Sequence, residues 1–112
     1  MNARELSAAI EARRPVIAEA VATRQYAEHP ELCERHGPIG WQRTLEDANY
    51  NLAFLAQAIA LESPALFVDY LGWLKVVLLR RRVRLQDLLD HFAYLQDGLR
   101  QSLPTEAANI AC

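Results

Sequence analysis

Most of the features that announce a function are scarce in this chain. Its 112 residues include two cysteines, Cys33 and Cys112, and one is the final residue. Cysteines so few and so far apart exclude a disulfide framework and point to a reducing compartment. The four glycines, Gly37, Gly40, Gly72 and Gly98, form no phosphate-cradling loop. Serine occurs only at Ser7, Ser63 and Ser102, each near a helix end or in a first turn, with no histidine at a suggestive distance. No uncharged apolar run reaches the roughly 18 residues of a membrane span, and no basic start leads into a long apolar run. A soluble, cytoplasmic chain with no membrane partner is expected. Neither sign of charge prevails: 12 Lys and Arg stand against 14 Asp and Glu, for a net charge of −2. Nucleic acid and anionic lipid therefore have no global electrostatic pull on it. Strand-like alternation, internal repeats and low-complexity tracts are absent as well.

Against this background the 52% apolar content and 23% charged content describe a chain that folds around a core. Its length suits a single domain that needs no metal or disulfide as a staple. Helical periodicity supplies the architecture. Asn2 followed by Glu5 reads as a capping box that starts a helix near Ala3. Leu6, Ile10, Ile17, Ala20 and Val21 continue it toward Tyr26, while Pro15 predicts a kink or two helices meeting at Arg14. Pro30 and the Gly37-Pro38 pair frame a short helix over residues 30–36. Trp41, Leu45, Ala48, Leu52, Leu55 and Ile59 draw one apolar stripe along the next helix.

Ser63-Pro64 then caps a further helix, with Phe67, Tyr70, Leu71, Leu74, Val77 and Leu78 on its main face. Leu85, Leu88, Leu89, Phe92, Leu95, Leu99 and Leu103 form the last amphipathic segment, closed by Pro104. A single rod over both segments could not pack in so small a domain, so a break is expected from Arg81 to Leu85. The expected fold class is all-α: a compact bundle of about five helices over 1–104, with a tail at 105–112.

The helix beginning at Pro64 carries a second apolar side, Val68, Gly72, Val76 and Leu79, flanked by Trp73. Such a helix is either central in its bundle or buried against another molecule, and Gly72 would let a partner backbone approach. That face is the expected interface of a homodimer.

Three further groupings bear on chemistry. "EHPELCERHG" places His29, Cys33 and His36 at spacings of four and three, and His91 is the only other histidine. Imidazole and thiolate suit transition metals, and haem needs only one axial histidine with an apolar slot. Helix capping accounts for His29 and His36 equally well, and a small buried hydrophobe describes Cys33. No metal is therefore expected. Asp47 and Asn51, one turn apart, read either as the polar anchor of a ligand pocket with Trp41, Phe54, Tyr70 and Trp73 or as a buried cap. Asp69 and Glu46 read as solvated. Arg80, Arg81, Arg82 and Arg84 fan around a helix end, where positive charge suits the dipole, so they do not form a phosphate track. No pair of carboxylates has the arrangement of acid–base catalysis, and no Glu-x-x-His pair marks a di-iron bundle.

The run of "YAEHPELCERHG" followed by "TLEDANYNLAFLAQAIALESPALFVDYLGWLKVVLLRRRVRLQDLLDHFAYL" resembles the helical segment preceding the cobalamin-binding domain of certain bacterial regulatory or sensor proteins. It is more loosely similar to the helical sensor domains of stress-response regulators. The resemblance covers residues 15–104 and rests on the aromatics, His29-Pro30, Gly37, Asp47 and Leu74-Lys75. It implies a bundle that caps the upper face of a corrin while an α/β domain supplies a histidine from below. This sequence has neither the Asp-x-His-x-x-Gly stretch nor the α/β half, so a cobalamin-binding or signalling partner would be a domain on another chain. The resemblance also implies a glycine or proline turn where Arg82 and Arg84 stand. The sequence thus sets two expectations: a non-enzymatic, self-associating regulatory domain that acts through protein–protein contact and needs no cofactor, or a sensor holding haem, cobalamin, bilin or another small ligand, with His36 or His91 in contact with it.

Overall fold

A computed structural model describes residues 2–103, and the expected closure at Pro104 and the tail lie outside it. Five helices follow one another: α1 (Ala3–Glu28), α2 (Glu31–His36), α3 (Ile39–Ala60), α4 (Pro64–Arg80) and α5 (Leu85–Ser102). No strand occurs among the described residues, and the class is all-α.

Local chemistry sets most boundaries. Asn2 accepts from the Glu5 amide at 2.8 Å, and its own side-chain amide donates to the Glu5 carboxylate at 2.9 Å, a reciprocal cap that satisfies an orphan donor of α1. Ser63 caps α4 by accepting from the Leu66 amide, with Pro64 at the first helical position. Both α3 and α4 end in the same closure. Glu62 donates to the Ile59 carbonyl and Ser63 to that of Ala58, while Arg82 donates to Leu79 and Val83 to Leu78. These are Schellman closures, which need a left-handed residue just past the cap. Glu62 and Arg82 fill that place at φ 52° and 64°, where glycine would be unstrained. The break between α4 and α5 is thus made without glycine or proline, by an arginine in a strained conformation.

Pro15 does not divide the first helix. α1 runs unbroken for 26 residues, about 39 Å at 1.5 Å per residue, along most of the 43 Å long axis. Pro15 and Glu11, whose carbonyl loses its donor, are both solvent-exposed, so water can satisfy the missing bond. On the opposite side Leu6, Ile10, Ile17 and Val21 are all buried in one core, which ties the turns before and after the proline to the same partners. Burial on both sides of the ring outweighs the roughly 3 kcal/mol that an interior proline costs. Of the expected stripe only Ala20 faces outward.

α1 and α3 form the main packed pair. α1 also packs against α5, α3 in turn packs on α4 and α2, and α4 meets α5 along a thin seam. Ala48, Leu52 and Ala56 of α3 and Tyr94, Leu95 and Leu99 of α5 complete the core. Gly98 lets α5 approach α1 closely, since a Cβ there would stand 3.0 Å from the Ile17 Cγ2. Leu85 and Leu89, expected in the buried stripe of α5, are exposed, because α4 stands off that end of α5.

Candidate functional site

α4 is peripheral, which corrects the expectation that a two-faced apolar helix sits at the centre of its bundle. Leu74 and Leu78 of its main stripe are buried and Phe67, Tyr70, Leu71 and Val77 half-buried. The other side is uncovered: Val68 is 65% exposed, Trp73 61%, Val76 48% and Leu79 48%. Gly72 lies among them, with no atom within 4 Å of where its Cβ would be. Next to this face, the gap between α4 and α5 opens into an apolar groove of about 610 Å³ that includes Phe67, Leu71, Leu88, Leu89 and Phe92, with Lys75 at its edge.

Inside the bundle a polar chain crosses all four long helices. The Tyr70 hydroxyl donates to Asn51 Oδ1 at 2.6 Å. The Asn51 amide donates to His91 Nε2 at 3.2 Å, His91 Nδ1–H to Gln25 Oε1 at 2.9 Å, and the Gln25 amide to the Asp87 carbonyl at 3.0 Å. Asn51, His91 and Gln25 each both donate and accept, which fixes the neutral Nδ1–H tautomer of His91. Burial pushes the His91 pKa down to about 4 and that of Tyr70 up to about 12, so neither group ionises at neutral pH. Fully satisfied, such a network specifies one packing of the helices.

Beside the chain lies a cavity of about 90 Å³, at the end of the bundle where α2 and the α4–α5 turn meet. Tyr26, His36, Arg43, Thr44, Asp47 and Arg81 contribute to its polar lining together with Gln25, Asn51 and His91 of the polar chain and with Asp87, whose carboxylate is held by Arg35. Gly40 is required here: a Cβ would run into the Tyr26 hydroxyl and stand 2.7 Å from the His36 Cβ. Burial raises the Asp47 pKa, opposed first by the charge of Arg81. No hydrogen bond or ion pair reaches the Asp47 carboxylate among the described residues.

Of the six residues expected to share a pocket, Asp47 and Asn51 line this cavity. Phe54, Tyr70 and Trp73 line the α3–α4 flank instead: Phe54 and Tyr70 are stacked with ring centres 4.2 Å apart, and Trp73 is tilted against Tyr70 at 6.0 Å. Trp41 is half-buried near the start of α3.

The histidines and Cys33 have separate environments. His29 caps α1 and its Nε2–H donates to the Tyr94 hydroxyl at 3.1 Å, with Glu31 and Asp90 close by. His36 ends α2 at the cavity wall. Cys33 is exposed, against the expectation of a buried hydrophobe: α2 has only six residues, and Leu32 takes its buried side. No group of three or more His, Cys, Asp and Glu side chains is gathered as a metal site among the described residues. No helix among them is long and apolar enough to cross a membrane.

Gln25, Tyr26, Arg43, Thr44 and Arg81 were not singled out as a group by sequence. Gln25 carried a signal, since it extends the Ile17–Val21 stripe and a polar group on an apolar stripe calls for a buried partner. Arg35, bound to Asp87 at 2.6 Å, carried none. Compared with protein-family models, curated proteins and solved structures, the chain matches none.

Proposed function

We propose that this chain is a non-enzymatic interaction domain that works as an antiparallel homodimer joined through the outer face of α4. The observation that carries the reading is the uncovered apolar face around Gly72. Residue pairs that would complement each other across a twofold axis flank that glycine. Val68 and Val76 lie four positions to either side, Asp69 and Lys75 three, and Ala65 and Leu79 seven.

When two copies of a helix cross antiparallel at Gly72, each residue faces its mirror position on the partner. Val68 then meets the other copy's Val76, and Asp69 meets its Lys75. Both charged residues are exposed, and neither takes part in an ion pair among the described residues. A parallel pairing would set like charge against like. The absence of a Cβ at Gly72 lets the backbones approach, and each valine so covered contributes about 1.5 kcal/mol or more.

A binding role is also supported by how the reactive side chains are used. Ser63 is a cap, and both ring nitrogens of His91 are hydrogen-bonded. The resemblance to a bundle that covers a partner's surface agrees with an interaction role. A tetrapyrrole sensor is the second reading, supported by the aromatic run of Phe54, Tyr70 and Trp73; the cavity at Asp47 is far too small for such a ring, which would lie on the α3–α4 flank. Sedimentation equilibrium tests the proposal. A dimer that dissociates in Val76→Asp is expected, and a monomer at high concentration overturns it. An absorption band in the Soret region would favour the sensor.

A further inference from the structure

The cavity at the α2 end of the bundle holds an arrangement of charge that folding alone does not explain. Asp47 is half-buried, faces the cavity and has no hydrogen bond or ion pair among the described residues. Removing a carboxylate from water without a partner costs stability. Arg43 and Arg81 line the same cavity from α3 and the end of α4, beyond ion-pair range of Asp47 yet near enough for their charge to act on it. Arg35, by contrast, is already bound to Asp87.

We propose that this cavity binds a small zwitterion of the α-amino-acid class, with its ammonium on the Asp47 carboxylate and its carboxylate between Arg43 and Arg81. Each half of such a ligand answers one half of the lining. A simple amine would satisfy Asp47 and be repelled by the two guanidinium groups, and a simple anion would meet the reverse. The zwitterion leaves neither charge unpaired, and its carboxylate matches the fork of an arginine.

Volume sets the size. An apolar cavity of about 150 Å³ takes benzene, with six heavy atoms. By proportion, the roughly 90 Å³ here holds about four atoms, so glycine or alanine occupies it with part of the ligand in the open mouth. The hydroxyls of Tyr26 and Thr44 line the cavity as well and offer further polar contacts. The position of Tyr26 is fixed by its close approach to Gly40. Asn51 and His91, already bonded to each other, form a neutral back wall.

Isothermal titration calorimetry of the full chain with glycine and L-alanine, and with ethylamine and acetate as the two half-ligands, tests the assignment. Saturable binding of an amino acid is expected, with each half-ligand at least about tenfold weaker. Asp47→Asn should abolish the binding while leaving the far-ultraviolet circular dichroism unchanged, and its melting temperature should rise because an unpaired carboxylate is gone. Arg81→Gln, at an exposed position, should weaken binding about tenfold without altering the fold. Three results each overturn the proposal: no saturation by either amino acid, half-ligands binding as tightly as the zwitterion, or unchanged affinity in both variants.

Discussion

Acid should loosen this bundle through one histidine before it reaches the carboxylates. His91 is buried with its Nε2 accepting from Asn51 and its Nδ1–H donating to Gln25, and burial holds its pKa near 4. In the unfolded chain the ring returns to its ordinary value of 6.5. The folded pKa is the lower of the two, so the unfolded state takes up a proton first as pH falls. The stabilising contribution is therefore whole above pH 6.5 and is lost progressively down to about pH 4. A difference of about 2.5 pH units at 1.36 kcal/mol per unit gives roughly 3 kcal/mol in all, about 2 kcal/mol of it gone by pH 5.

Asp47, whose pKa is raised, works in the opposite sense: its penalty is relieved as pH falls. Glu28, lowered chiefly by its hydrogen bond from Tyr94, loses stabilisation at lower pH. Both groups are present in a His91→Gln variant, so the difference between the two proteins isolates the imidazole. Urea unfolding of both at pH 7 and pH 5 is the assay. The wild type should lose about 2 kcal/mol more than the variant between those two values. Parallel losses would refute the buried neutral ring.

Two further outcomes follow from the backbone. Glu62→Gly and Arg82→Gly relieve the left-handed strain at the two Schellman closures, and each should raise stability by about 1 kcal/mol in chemical denaturation; a loss at both sites would contradict the closure geometry. Gly40→Ala should destabilise by about 1–3 kcal/mol, because the new methyl group meets the Tyr26 hydroxyl and the His36 Cβ in a packed corner, and a melting temperature equal to wild type would contradict that contact.

The helices were legible because their signals are local. Asn2 with Glu5 and Ser63 with Pro64 are caps that bond within three residues, and the stripe from Trp41 to Ile59 shows itself within one helix. The break before Leu85 followed from size alone, while its left-handed Arg82 did not, since nothing in the residue type announces that conformation. Pro15 misled because intrinsic propensity lost to burial on both sides of it. Cys33 misled because residue preference says little in a helix of two turns.

The polar chain lies furthest from sequence reasoning. Gln25 and His91 are 66 positions apart and Asn51 and His91 40, and only the crossing of α1, α3 and α5 brings them together. Asp47 and Asn51 were visible as polar groups beside an apolar stripe, and Arg43 stands one turn before Asp47 on the same helix, but Arg81 reaches their cavity from the turn after α4. The second apolar face of α4 was plain in the sequence, whereas its place at the edge of the bundle depends on α1 and α5 taking the other side of α3.

The central claim is that two copies meet antiparallel at Gly72, and a charge-swap cycle read by sedimentation equilibrium tests it most directly. Asp69→Lys alone sets like charges opposite each other twice in the dimer and should weaken it on the order of tenfold. Adding Lys75→Asp to the same chain restores opposite charges at both places and should return the dissociation constant close to wild type. Rescue by the double variant is the predicted result; a double variant as weak as the single one, or a wild type that sediments as a monomer, would contradict the account.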